Sequence, residues 1–190
     1  DPVGIGILVQ ASAFIDIRDS RITDSGDQLI LFNNSQDSTA TRINVGVLDA
    51  YPTKMGSDGL SAYASTRITI QDSEIRGGEH PTGCGIIVDG STLFTGQGHI
   101  FRRNVVEQYV NCGLGIAGGA NGLFEDNFVG IIYPGSTVIG IYIWDHYADP
   151  PEPHQACNGN TIRRNVVPIA SPFWDAGDCT NTTIIGNSWQ

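Results

Sequence analysis

The sequence predicts an all-β chain wound as a single-stranded parallel β-helix, a solenoid of about seven coils forming one domain over residues 1–190. Three observations predict it: a short segment that recurs, a second strand that follows each recurrence, and cysteines that fall at matching places in neighbouring repeats. The recurring segment is clearest as TRITIQDSEI from Thr66 to Ile75. It returns as FIDIRDSRI ending at Ile22, TRINVGV from Thr41, HIFRRNVV from His99, LFEDNFV from Leu123, TIRRNVV from Thr161 and TIIGNSW from Thr183. Anchored on Asp19, Val47, Asp72, Asn104, Asn127, Asn165 and Asn187, the gaps are 28, 25, 32, 23, 38 and 22 residues. A floor near 22 with variable additions fits a coil of constant cross-section from which loops emerge.

The second strands are GILVQ at 6–10, QLILF at 28–32, GLSAY at 59–63, GIIVD at 85–89, GLGIA at 113–117 and GIYIW at 140–144. Period-two alternation sends Ile7 and Val9, Leu29 and Leu31, Leu60 and Ala62, Ile86 and Val88, Leu114 and Ile116, and Ile141 and Ile143 inward. The outward set includes Phe32, Tyr63, Asp89, Tyr142 and Trp144, an apolar and aromatic face expected to contact a ligand or a partner. The anchor asparagines suit turns, where an amide satisfies backbone groups and bonds its neighbour along the stack.

Cys157 lies eight residues before Asn165 and Cys179 eight before Asn187, while GCGIIVDG and NCGLGIAGG align Cys84 with Cys112. Rungs stack about 4.8 Å apart, within the reach of a disulfide. Of the three pairings open to four cysteines, stacking favours Cys84–Cys112 and Cys157–Cys179. Two such bonds imply an oxidising compartment, so the chain is expected to be secreted or at the cell surface. Asn33-Asn34-Ser35 and Asn181-Thr182-Thr183 make Asn33 and Asn181 glycosylation acceptors by rule. A start at Asp1 without Met reads as a mature or excised product.

The net charge of −10, from 20 acids against 10 Lys and Arg, argues against nucleic acid and against an anionic membrane as partners. No run of 18 apolar residues is present to span a bilayer. An acidic polysaccharide would need a locally basic groove or a bridging cation. A neutral or weakly acidic one meets no such objection.

Three acidic groupings could carry chemistry. Asp27 and Asp58 precede their second strands in adjacent coils, and stacking would set them about 5 Å apart, the spacing of a retaining glycosidase pair; the alternatives are turn-amide acceptors or a structural calcium ion. The loop WDHYADPPEPHQA, from residue 144 to 156, is stiffened by Pro150, Pro151 and Pro153. It offers Asp145, His146, Asp149 and Glu152, joined from the last coil by Asp175, as proton donors and acceptors. His146 and His154 with one carboxylate are a metal alternative, although the spacing matches no zinc motif. Asp89 would accept sugar hydroxyls while Phe32, Tyr63, Tyr142, Trp144 and Trp174 stack on sugar rings. No phosphate loop, dinucleotide fingerprint or nucleophile elbow occurs, so no organic cofactor is expected.

Over nearly the whole chain these repeats resemble the right-handed parallel β-helix proteins of the pectate-lyase-like group. Trp144-Asp145-His146 resembles their Trp-Ile-Asp-His motif without its isoleucine, and Gly56-Ser57-Asp58-Gly59 resembles the Asn-Thr-Asp-Gly strip of polygalacturonase-type hydrolases. The resemblance implies a right-handed coil and glycan chemistry, the group being mostly secreted lyases, hydrolases and epimerases. The leading expectation is a secreted glycoside hydrolase using paired carboxylates. Alternatives are a polysaccharide lyase, a non-catalytic glycan-binding or cell-surface module, and a structural β-helix whose exposed column is a homo-oligomer interface.

Overall fold

The computed structural model describes residues 4–23, 28–46, 58–77, 83–90, 96–107, 109, 111–130, 139–144, 157–168, 171–177 and 179–189. Three parallel sheets run the length of the molecule, each ordered so that a strand pairs with its counterparts one repeat earlier and one repeat later. Sheet A contains Ile7–Gln10, Ile30–Asn33, Leu60–Tyr63, Cys84–Asp89, Cys112–Ala117, Ile139–Trp144 and Phe173–Asp175. Sheet B runs from Asp16–Arg18 through Thr39–Thr41, Thr69–Gln71, Ile100–Arg102, Leu123–Glu125 and Thr161–Arg163 to Thr183–Ile185. Sheet C runs from Arg21–Thr23 through Asn44–Gly46, Glu74–Arg76, Val105–Glu107, Phe128–Val129 and Val166–Val167 to Ser188–Trp189. The parallel β-solenoid is thus as expected, and its coil is right-handed.

The coil count is corrected: the solenoid amounts to about four turns, not seven coils. Strands on all three faces are enclosed only from the second rung to the sixth, and the register steps Ile30–Leu60–Ile86–Leu114–Ile141 make four circuits between them. The first and last rungs have a neighbour on one side only, and their side chains are largely exposed. Counting each sequence match as a coil therefore overstates the enclosed stack.

The interior is built of apolar columns. In sheet A one column is Ile7–Ile30–Leu60–Ile86–Leu114–Ile141–Phe173 and another is Val9–Phe32–Ala62–Val88–Ile116–Ile143–Asp175. Sheet B contributes Ile17, Ala40, Ile70, Phe101, Phe124 and Ile162, and sheet C contributes Val45, Ile75, Val106, Val129 and Val167. Each large side chain so buried contributes about 1.5–3 kcal/mol relative to an exposed one. The inward assignment holds at every sheet A rung but the second, where Ile30 and Phe32 join Leu29 in the core and Leu31 falls in the outer column. The run from Leu29 to Phe32 is apolar throughout, so no alternation marks its parity. Phe32 is fully buried and is therefore withdrawn as a ligand-contacting residue.

Between sheets B and C the chain turns on a single residue with positive φ: Asp19, Arg42, Asp72, Arg103, Asp126, Arg164 and Gly186 in successive rungs, at 50–63°. A side chain in this region costs about 1–2 kcal/mol, offset here by what the next residue does. Asn104, Asn127, Asn165 and Asn187 form a ladder just inside the turn. Asn127 Oδ1 accepts from the backbone N–H and the Nδ2 of Asn104, both at 3.1 Å, while its own Nδ2 donates to Phe101 O and to Asn165 Oδ1, both at 2.9 Å. The pattern repeats between Asn165 and Asn187. It continues upstream as Ser73 N–H donating to Asn104 Oδ1 and Ile43 N–H donating to Ser73 Oγ. The ladder position is thus Ser73, and Asp72 and Asp19 belong to the positive-φ column one residue earlier; Val47, also read as an anchor, lies outside the described residues. In that column acid and base alternate, with paired contacts from Arg42 to Asp19, Arg103 to Asp72 and Arg164 to Asp126 at 2.6–2.8 Å.

His99 fills the corresponding place at another corner. Its Nδ1 accepts from Ile68 N–H at 3.3 Å, as Asn160 Oδ1, two rungs further along the same column, accepts from Gly122 N–H. Full burial lowers its pKa from 6.5 to about 4.

Two outcomes are expected. Replacing Asn127 by alanine leaves Asn104 and Phe101 groups buried without partners and should cost on the order of 3 kcal/mol in chemical denaturation. Because folded His99 stays neutral while the unfolded imidazole takes up a proton, its share of stability is complete above pH 6.5 and is lost as pH falls towards about 4. Denaturation across that window should show a loss of about 3 kcal/mol, flattened in His99→Asn, which keeps an acceptor for Ile68 N–H.

Candidate functional site

The outer side of sheet A places two columns side by side. One is Leu8–Leu31–Ser61–Ile87–Gly115–Tyr142–Trp174 and the other Gln10–Asn33–Tyr63–Asp89–Ala117–Trp144. Alternation therefore gathers Tyr63, Asp89, Tyr142, Trp144 and Trp174 on one face. Tyr142 and Trp144 stack, with ring centroids 4.1 Å apart and planes 23° from parallel. Trp174 follows Tyr142 on the next rung and is 56% exposed. The three rings form an aromatic strip at the C-terminal part of the face, with Asp89 half-buried two rungs before Trp144.

The face is not open along its whole length. Cys84 and Cys112, joined as expected with Cα atoms 4.4 Å apart, lie on this outer side and form a small second core with Ile87 and Ala117, against which Tyr142 and Trp144 pack. Gly115 lets the bridge lie flat on the sheet, since a Cβ there would come within 3.0 Å of Cys112 Sγ and 3.2 Å of Cys84 Sγ. This second core escapes sequence reasoning because strict alternation points both cysteines inward; the pair of glycines at Gly85 and Gly113, after each cysteine, is the signal that the strand bends there. The other bridge, Cys157–Cys179, has Cα atoms 4.6 Å apart and is packed in the main core.

The carboxylates separate. Asp58 Oδ1 accepts from Cys84 N–H at 2.7 Å and Ser61 Oγ donates to Oδ2 at 3.4 Å, the turn-amide role foreseen as its alternative. Its proposed partner Asp27 lies outside the described residues, as do Asp145, His146, Asp149, Glu152 and His154. Asp175 is not on the aromatic face: it extends the inward column after Ile143, is exposed on the last rung, and accepts from Gly177 N–H at 2.8 Å. Asn33 stands half-buried at a strand end, and the Ser35 hydroxyl of its triplet is buried and donates to Val9 O at 3.0 Å. Asn181 is exposed at a positive-φ turn, its Nδ2 on Asn158 Oδ1. Tyr109, beneath Asp58 and Gly59, is fully buried; burial raises its phenol pKa and the Asp58 charge adds to the effect.

Charge is divided by face. All nine arginines lie in sheets B and C or at their turns, and the described strands of sheet A contain no Lys or Arg. Glu125 illustrates their pairing: burial alone would raise its pKa, but Arg163 and Arg164, at 2.7 and 2.8 Å, hold it lowered. Among the described residues no group of three or more His, Cys, Asp and Glu is placed to hold a metal ion, and no helix is long and apolar enough to cross a membrane.

No protein-family model and no curated protein matches the chain. Solved structures do. The periplasmic alginate epimerase AlgG aligns with a TM-score of 0.71 at 14% identity, over 98% of this chain and 47% of that one. The Azotobacter vinelandii mannuronan C-5 epimerase AlgE6 A-module gives 0.59 at 10%, over 94% and 55%. An alginate lyase from Paenibacillus gives 0.54 at 12%, over 98% and 72%. The chain spans about half the length of the epimerases. It shares the right-handed parallel β-helix fold of these proteins.

Proposed function

We propose that this chain is a secreted polysaccharide-active protein that holds glycan on the aromatic strip of sheet A. The observation that carries the reading is the Tyr142–Trp144 ring pair with Trp174 in register beside it. Flat rings on one rigid face suit the apolar faces of successive sugars, and Asp89 in the neighbouring column suits their hydroxyls. Two disulfides agree with an oxidising compartment.

For the chemistry we favour an elimination-type reaction, as in a lyase or an epimerase, over hydrolysis. The fold likeness supports this, since two of the similar structures are an alginate epimerase and an alginate lyase by name. The described carboxylates support it too. Hydrolysis needs two free acids flanking the bound bond about 5–9.5 Å apart, whereas Asp58 is engaged by a backbone amide and Asp175 follows the inward column. Asp145, His146, Asp149 and Glu152 remain proposals for proton transfer. A non-catalytic glycan-binding module is the second reading, favoured by the aromatic pair alone.

Incubation with a panel of neutral and acidic polysaccharides separates these readings. A lyase yields unsaturated ends absorbing in the ultraviolet, an epimerase changes uronate composition without cleavage, a hydrolase yields reducing ends alone, and a binding module retains glycan without product. Trp144→Ala and Trp174→Ala should each weaken glycan binding about tenfold, ~1.4 kcal/mol. Trp174→Ala should do so with its melting temperature unchanged, because the ring is more exposed than buried. Undiminished binding in both variants would remove the aromatic strip from the site.

A further inference from the structure

The two disulfides close loops of similar size, with sequence separations of 28 and 22 residues, so each constrains the unfolded chain to a similar degree. Their surroundings differ. Cys157 belongs to the main core and Cys179 packs against it, whereas Cys84 and Cys112 form the separate outer cluster with Ile87 and Ala117. The backbone turns the outer pair that way. A Cβ on Gly85 would lie 2.1 Å from Val106 Cγ1, and one on Gly113 2.1 Å from Val129 Cγ1. Both glycines therefore press against sheet C, and the cysteine before each is directed to the opposite side.

On the next rung Tyr142 follows Gly115 and Trp144 follows Ala117. Neither preceding residue has the length to brace a ring, glycine having no side chain and alanine a single methyl. The two sulfurs occupy the space over Gly115, 3.2 and 3.0 Å from where its Cβ would stand. They thus take the place of the missing side chain in the column Ile87–Gly115–Tyr142, and both rings pack against the cluster they complete. Without the bridge a hollow opens beside the ring pair, and neighbours of a hollow shift into it.

We infer that the Cys84–Cys112 bridge is a positioning element of the glycan-holding face: it sets the geometry of the Tyr142–Trp144 pair, while Cys157–Cys179 acts on stability. Its effect on binding rests on the glycan reading; its effect on the rings does not.

The test compares two double variants of the full chain, Cys84→Ala with Cys112→Ala and Cys157→Ala with Cys179→Ala, well below their melting temperatures. In a Trp174→Phe, Trp189→Phe background Trp144 is the sole tryptophan, and acrylamide quenching of its emission reports how the ring is packed. Loss of the outer bridge should raise the quenching constant at least twofold, and loss of the inner bridge should leave it unchanged. With all tryptophans present, retention on immobilised alginate and on an immobilised neutral β-glucan should fall about tenfold for the outer variant only. If the outer variant does not fold, Gly115→Ala decides, since its methyl crowds the intact bridge and should alter the same quenching. Unchanged Trp144 quenching in the folded variant would overturn the inference, as would altered quenching with undiminished retention. A wild type retained by neither polysaccharide would overturn the glycan reading and the bridge's part in binding, with the ring geometry still decided by quenching.

Discussion

Everything in this molecule depends on rungs staying in register, and the buried amide ladder at the corner between sheets B and C is the interaction that enforces it. Asn104, Asn127 and Asn165 each bond to the rung before and the rung after, so these strands cannot slide by one residue without breaking hydrogen bonds on both sides. The positive-φ residue before it makes the corner sharp, and the alternating Asp and Arg at that place tie one rung to the next from outside. Register errors in β-structure exchange inside for outside. Here that would send Ile and Val columns to solvent and bring the aromatic strip inward, so the ladder sets the site as well as the core.

The same constraint explains how sheet A presents an ordered array of side chains on its outer face. Once register is fixed, residues two apart on one strand and equivalent residues on adjacent strands form a grid, and Tyr142, Trp144 and Trp174 occupy three neighbouring points of it. All three rings are positioned by main-chain pairing, and Tyr142 and Trp144 also by packing on the Cys84–Cys112 cluster. A rigid platform loses little conformational entropy on binding.

Much of this was legible in the sequence, and the exceptions have physical causes. The inward columns are readable wherever a small or polar residue interrupts the apolar ones, as Ser61 does between Leu60 and Ala62, and unreadable in Leu29–Phe32, where nothing does. The disulfides are readable because a solenoid converts equal position in successive repeats into proximity. Asp72 mimics an anchor because Asp tolerates the same positive φ as Asn, and only the hydrogen bonds assign the ladder to Ser73. The burial of Ile87 and Ala117 on the outer side could not be read, since it depends on what covers a strand and not on the strand's own pattern. The loop acids were chosen by residue type alone, and residue type carries no geometry.

The staples also give the stack a direction. A solenoid's stability is close to a sum over neighbouring rungs, and covalent links join the fourth rung to the fifth and the sixth to the seventh. The first three rungs have no such link among the described residues, and their integrity rests on hydrogen bonds and packing. Under heat or denaturant the molecule should therefore unravel vectorially, peeling from its N-terminal rungs while the aromatic strip is among the last features to disperse.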